Sequence, residues 1–383
     1  MTDDLRVTVL SPYPFHMVDQ ARQLYKNGVL ERMVTAVPRS RVGLPSEKVS
    51  TRMRWSGLRR IVGRAVPSAD PWLSRQVVRD FDRWAESKLG APSVVNGLSG
   101  FATETLSRTS ARGAVVFCDR GSWHMLEQKR VLDEEAERIN AARVHFDPFM
   151  VERELREYEL ADRILVPSEP ARQSFIRRGI DPGRVMKVPY GVDISEFSPP
   201  TGERTPASIV SVGTVGLRKG HQHLVDAFRS LKTRGATLTL VGAIDPGWQE
   251  RLGLDDDGIR ATGPVNRTRV VEELQRASVF VLASLEEGLA LVQAQAMACG
   301  LPVIATEATG VRELVTDGVE GIVVPAPPDA ETLAEAMDYM LSDPARAQEM
   351  GAAARRRVES FGGWDRYGSQ LVAAFRSSMQ QRS

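Results

Sequence analysis

At 383 residues, 42% of them hydrophobic and 26% charged, the chain has a globular balance and the length for two cores rather than one. A net charge of +1 excludes whole-molecule attraction to nucleic acid; only two cysteines, Cys118 and Cys299, both in apolar segments, exclude a disulfide framework and point to a reducing cytoplasm. Five scattered histidines give no zinc spacing, no apolar run reaches the roughly 18 residues of a membrane span, and the acidic opening Met1-Thr2-Asp3-Asp4 argues against a signal peptide.

Short β-branched runs alternate with longer amphipathic stretches, the pattern of a parallel α/β architecture. The spacing predicts strands at Leu5–Leu10, Met33–Val37, Ser93–Asn96, Ala114–Cys118, Arg163–Pro167 and Arg184–Val188, with helices such as Val18–Asn27, Arg75–Lys88 and Val151–Leu160 between them. One segment breaks the order. Residues 39–64 carry eight basic residues against the single Glu47, and Trp55, Leu58, Val62 and Ala65 recur there at helical spacing. Such a segment reads either as a helix lying on an anionic membrane surface or as a solvated insertion beside a cleft. Glu154, Glu157, Glu159 and Asp162 read as the acidic face of a helix with no catalytic part.

Tyr190–Ala207 holds Pro199, Pro200, Gly202 and Pro206, which suit neither a helix interior nor a central strand, so it reads as an interdomain linker. The alternation then restarts with strands at Ser208–Gly213, Thr237–Val241, Ser278–Ala283 and Pro302–Ala305. Helices are expected at Gly220–Leu231, Arg269–Arg276, Leu289–Ala298 and Glu331–Leu341. The richest stretch runs from Ala283 to Ala305. A buried strand ends in the turn Glu286-Glu287-Gly288, a helix follows, Gly300 stops it and Pro302 opens the next strand. A glycine turn leading into a helix offers free N–H groups and a positive dipole end, a cradle for a diphosphate. Glu287 and Gln295, eight residues apart, would span roughly 12 Å if helical, enough to touch opposite ends of a nucleotide sugar.

This stretch resembles the Glu-x7-Glu donor motif of the retaining GT-B glycosyltransferases of glycosyltransferase family 4. The usual form is Glu-Gly-Phe-Gly-Leu-Pro-x-x-Glu-Ala-Met-Ala-Cys-Gly-x-Pro-Val-Ile. The resemblance implies that Glu287 contacts the transferred sugar and that Gly288, Leu289, Ala290 and Leu291 line the donor site. Gln295 stands where a second glutamate grips the ribose; an amide offers one acceptor where a carboxylate offers two oxygens. Val212 to Gly220 resembles the family's Val-Gly-Arg-x-x-x-x-Lys-Gly, which implies that Lys219 is a phosphate ligand and catalytic residue. Thr214 occupies the family's arginine position, and the resemblance implies that the neighbouring Arg218 takes over as the second phosphate-side cation. Thr262-Gly263-Pro264-Val265 resembles the nucleobase-side segment, which implies donor contacts at Gly263 and Val265.

The resemblance covers residues 150–370 closely and the first 150 loosely. It implies an α/β fold of the GT-B type: two Rossmann-like, doubly wound parallel-sheet domains facing across a cleft, with a last helix crossing back. The expected parts are an acceptor-side domain at 1–195, a nucleotide-sugar domain at 196–360 and a returning helix at 361–383. Ser11-Pro12-Tyr13-Pro14-Phe15-His16 replaces the usual Gly-Gly loop. Asp119-Arg120-Gly121-Ser122-Trp123-His124 follows a strand facing the cleft, and His124 is the candidate catalytic histidine, with helix capping or packing its other reading. His16, Asp119 and Arg120 are the candidates on the acceptor side.

The implied activity is transfer of a hexose-type sugar, with retention, from a UDP- or GDP-linked donor to a glycan or lipid-linked acceptor. No cofactor or metal is expected, Asp255-Asp256-Asp257 reading as a surface loop. Nucleic acid is not an expected partner, and the expected location is cytoplasmic, with peripheral contact at the inner membrane face through 39–64. A sugar-nucleotide epimerase of the same fold and a catalytically silent sugar-nucleotide-binding protein are the alternatives. No Gly-x-Gly-x-x-Gly or Walker A element supports a dinucleotide enzyme or a P-loop.

Overall fold

The structure, a computed structural model, describes residues 5–52, 70–254 and 258–382. Trp55, Leu58, Val62, Ala65 and Asp255–Asp257 lie outside the described residues.

Two sheets account for the strands. The first contains β1 (Val7–Ser11), β2 (Leu30–Thr35), β3 (Val49–Thr51), β4 (Val94–Leu98), β5 (Val115–Asp119), β6 (Arg163–Val166) and β7 (Val185–Lys187), in the order β3-β2-β1-β4-β5-β6-β7. The second contains β8 (Ser208–Val212), β9 (Thr237–Val241), β10 (Ile259–Ala261), β11 (Val279–Leu282), β12 (Val303–Thr306) and β13 (Gly321–Val324), in the order β10-β9-β8-β11-β12-β13. Neighbouring strands run parallel in both sheets. Helices cover both faces of such sheets, so β1, β4, β5, β11 and β12 are buried along their whole length, which is why they read as apolar runs without alternation. In each sheet the order reverses beside the first strand, between β1 and β4 and between β8 and β11. Open α/β sheets bind ligands at such switch points, outside the carboxyl ends of the strands.

Three strands escape the sequence pattern. β3 and β10 are three-residue edge strands, and β13 starts at Gly321, where a Cβ would lie 1.9 Å from the Val303 carbonyl oxygen. The described part of the basic segment is not a mere insertion: Val42 and Val49 are buried, and Met33 to Thr35 pair with Val49 to Thr51.

No helix or strand forms between β7 and β8. Arg204 pins that crossing by donating to the carbonyls of Gln275 and Ala277 at 3.0 Å each and to that of Cys299 at 2.5 Å. The last helix, Gly363–Arg382, returns to the first sheet. Tyr367, Leu371 and Phe375 recur four apart on its buried stripe. Phe375 meets Phe117 of β5 edge-on at 4.7 Å, and the Tyr367 hydroxyl accepts from Gln20 at 2.9 Å. Among the described residues, no helix is long and apolar enough to cross a membrane.

Candidate active site

Two loops of the second sheet meet at its switch point. The loop after β8 ends at Gly220, which holds φ +64 and caps the His221–Arg229 helix. A Cβ there would lie 2.0 Å from the Ala283 carbonyl oxygen, so only glycine lets this loop slide under the end of β11. Leu285 N–H then donates to the Arg218 carbonyl at 2.9 Å and fixes the two loops together. Lys219 Nζ consequently stands 2.6 Å from Glu287 Oε1, and Arg218 Nη2 donates to Glu287 Oε2 at 3.0 Å. Ser284 Oγ adds a donor to Oε1 at 3.3 Å. The Glu287 side chain is only 10% exposed, so its charge is held by these cations rather than by water.

Beside this cluster opens a cavity of about 550 Å³. Gly213, Lys219, Glu287, Leu289, Ala290, Leu291, Gln295 and Val265 line it, with Phe197, Val212, Arg267, Val270 and Val292. Its size is that of a small-molecule site. The helix after the turn runs from Leu291 to Ala298, starting two residues later than its sequence pattern, and its amino end adjoins the cavity. Gln295 faces this space, whereas Gln293, two residues earlier and thus on the opposite side of the helix, is buried and donates to the Ala290 and Thr309 carbonyls at 3.2 Å each. Gly263 does not line the cavity; it pairs with Gly242 in an isolated antiparallel bridge.

The turn also touches the first domain. A Cβ on Gly288 would lie 2.1 Å from the Gly121 carbonyl oxygen, and Ser168 Oγ donates to the Gly288 carbonyl at 2.5 Å. Gly121 in turn abuts the His16 ring, whose Cε1 lies 3.4 Å from where a Gly121 Cβ would stand. His16 and Asp119 therefore stand one glycine away from the Glu287-Gly288 turn. His16 Nε2 lies 2.8 Å from Asp119 Oδ1. Asp119 Oδ2 accepts from Gln20 at 2.8 Å and from Asn96 at 3.1 Å. Burial pushes the Asp119 carboxyl up, but His16, Asn96 and Gln20 together hold it below its ordinary value. An ionised carboxylate only accepts, so the hydrogen lies on His16 Nε2. Tyr190 stacks on the ring with centroids 4.4 Å apart.

The structure places His124 elsewhere. It caps the Met125–Arg138 helix, Nδ1 accepting from Leu126 N–H at 3.2 Å, and its ring packs 5.0 Å from both Tyr158 and Phe175. Burial, with Arg178 and Arg120 nearby, lowers its pKa to about 4. Of its two sequence readings, the cap is the one the geometry realises. Arg120 is likewise engaged, donating to the Trp123 carbonyl at 2.9 Å and Gln128 Oε1 at 2.8 Å and pairing with Glu154 at 2.9 Å. The supposed acidic face is in part an interior network. Glu154 and Glu157 are buried, and Glu157 accepts from the backbone of Gly100 and Ala102 at the start of the Thr103–Ala111 helix. Burial pushes Glu157 up to about 7 against those donors and Arg153. Sequence reasoning also missed Glu286, which is fully buried and receives Arg218 Nε at 2.9 Å. Its only signal was the doubled acid before Gly288.

Residues 193–357 match the family model of the glycosyl transferases group 1. The D-inositol 3-phosphate glycosyltransferase of Kineococcus radiotolerans is 29% identical over 259 residues, 59% of this chain and 59% of that protein. The chain thus matches less than two thirds of the length of that relative. The sucrose-phosphate synthase structure from Thermosynechococcus elongatus superposes with a TM-score of 0.71 at 21% identity, over 97% of this chain and 98% of that one. HepE from Anabaena in complex with UDP gives 0.67 at 17% identity, over 97% and 100%. With two facing parallel sheets and a returning last helix, the chain has the GT-B fold.

Proposed function

We propose that this chain is a retaining glycosyltransferase that takes a hexose-type sugar from a nucleoside-diphosphate donor in the second domain and passes it to an acceptor on the first. The observation that carries this reading is the Lys219–Glu287 pair, 2.6 Å apart, on the wall of a cavity at the switch point of the second sheet. The match of residues 193–357 to the glycosyl transferases group 1 supports it, as does the likeness to a fold whose HepE member is known with UDP.

In this reading the diphosphate lies along Lys219, with Arg218 beside it and the amino end of the Leu291–Ala298 helix below. Charge builds on the diphosphate as the glycosidic bond breaks, and preorganised cations and a helix dipole favour that state over the intact donor. When phosphate draws Lys219 away, Glu287 is freed to hold the sugar. Gln295 and Val265 take the nucleoside end. The acceptor hydroxyl enters from the first domain on the face from which the diphosphate departs, so configuration is retained. His16, oriented by Asp119 and Tyr190, stands beside Gly121 on that approach, with Nδ1 available to accept a hydrogen bond.

The test is to incubate the protein with UDP- and GDP-sugars and to follow nucleoside diphosphate release with and without glycan and lipid-linked acceptors. Acceptor-dependent release with a retained anomeric product supports the proposal. Epimerised donor, or binding without turnover, overturns it.

A further inference from the structure

Glu286 belongs to both domains at once. It sits in the turn after β11, fully buried, yet three of its four partners come from the first domain. Ser122 Oγ donates to Oε1, Trp123 N–H donates to Oε1 at 3.0 Å and Gln128 Nε2 donates to Oε2 at 2.8 Å. The fourth is Arg218, whose Nε donates to Oε2 at 2.9 Å. A buried carboxylate is costly unless both its charge and its lone pairs are met. Arg218 meets the charge; the first domain meets the lone pairs. Both conditions hold together only while the turn is seated against the first domain.

Arg218 is split in the same way. Its Nε edge is committed to Glu286, while Nη2 rests on Glu287 at 3.0 Å and the side chain is 38% exposed. A guanidinium anchored along one edge presents the other in a fixed direction, and an incoming phosphate can replace Glu287 on Nη2 without disturbing Nε. Were the turn to leave the first domain, Glu286 would lose three donors and Arg218 its fixed orientation.

Resting on the donor-site reading above, we infer that Glu286 is a positioning residue that couples seating of the turn on the first domain to the placement of Arg218 beside the donor cavity. Nucleoside diphosphate affinity then depends on Ser122 and Gln128, neither of which lines that cavity. Coupling of this kind is reciprocal: whatever favours the seated turn favours the nucleotide, and the nucleotide favours the seated turn.

The experiment is calorimetric titration of UDP and GDP into the full chain, the Ser122→Ala/Gln128→Ala double variant and Glu286→Gln, each checked for folding by thermal melting. In parallel, the interdomain distance is read between spin labels on cysteines introduced at the exposed Lys88 and Ala345, the native Cys118 and Cys299 being buried. The double variant is expected to bind about tenfold more weakly, with a broader label distance that narrows as nucleotide is added. Glu286→Gln keeps an acceptor for Ser122 and Trp123 but sets an amide donor against Gln128 and Arg218 and removes the charge, so affinity should fall, with a label distance between those of the parent and the double variant. Unchanged affinity in the double variant overturns the coupling. Failure of the parent chain to bind either nucleotide overturns the donor-site reading itself, and the coupling with it.

Discussion

Lys219 and Glu287 approach within 2.6 Å although they come from loops 68 residues apart, and the glycine at 220 is what permits it. In the proposed reaction each has its own partner, phosphate for Lys219 and sugar for Glu287. Lys219→Ala and Glu287→Ala should therefore each lower turnover by roughly 100- to 1,000-fold, the usual loss when a charge-stabilising group is removed. Thermal melting should show both variants folded, since Arg218 still pairs with Glu287 in the first and with Glu286 in both. Near-normal turnover in either would remove that residue from the site.

His16 and His124 are separated by a simple comparison. His16→Ala removes the ring held between Asp119 and Tyr190 and should cut turnover by at least about 100-fold, in the range of lost acid–base or orienting groups. His124→Asn should retain most of the turnover, because asparagine can still cap the helix. The reverse ranking of initial rates would reinstate His124.

Buried histidines also set the acid limit of stability. Burial lowers His124 and His221 to about 4 each, against an ordinary value near 6.5. Between those values the unfolded chain binds more protons than the folded one. The stability from each neutral ring is complete above pH 6.5 and is lost as pH falls toward 4, up to roughly 3 kcal/mol per ring. His124→Asn should melt lower than the parent at pH 7, having lost its packing on Tyr158 and Phe175, but its melting temperature should fall less steeply between pH 6.5 and 4. Parallel slopes would contradict this.

Gln295 lines the cavity where the related motif has a glutamate. An amide presents one acceptor to a pair of ribose hydroxyls, a carboxylate two oxygens. Gln295→Glu should tighten UDP or GDP binding by about 1 kcal/mol, roughly fivefold, readable by titration. An unchanged or weakened affinity would move the ribose away from this side chain.

Gly288 is one of the points where the two domains touch backbone to backbone. Gly288→Ala places a Cβ 2.1 Å from the Gly121 carbonyl oxygen, a backbone atom with little room to yield, so the turn must shift. Displacement of Glu287 by about 1 Å should cost roughly 100-fold in turnover. Initial rates with the donor found above give the check, and a variant as active as the parent would mean the domains stand further apart during catalysis.

Much of this was legible in the sequence, and the limits have physical causes. β1, β4, β5, β11 and β12 are buried along their whole length and announce themselves as apolar runs. β3 and β10 are three-residue edge strands with too little pattern to see. The Lys219, Glu287 and Gln295 grouping was legible through the resemblance to two family motifs, both of which lie within one domain. His16 with Asp119 depends on contacts 103 residues apart, and Glu286 with Ser122 on contacts 164 residues apart, for which local spacing carries no trace. His124 misled because a histidine just past a cleft-facing strand also makes a good helix cap. Glu154 and Glu157 looked solvated because a charged pair on a helix usually is.

The most direct test of the account is a crystal structure with UDP or GDP bound. The account predicts diphosphate oxygens within hydrogen-bond distance of Lys219 and the ribose against Gln295, in the cavity beside Glu287. Nucleotide bound elsewhere, with Lys219 still closed on Glu287, would contradict it.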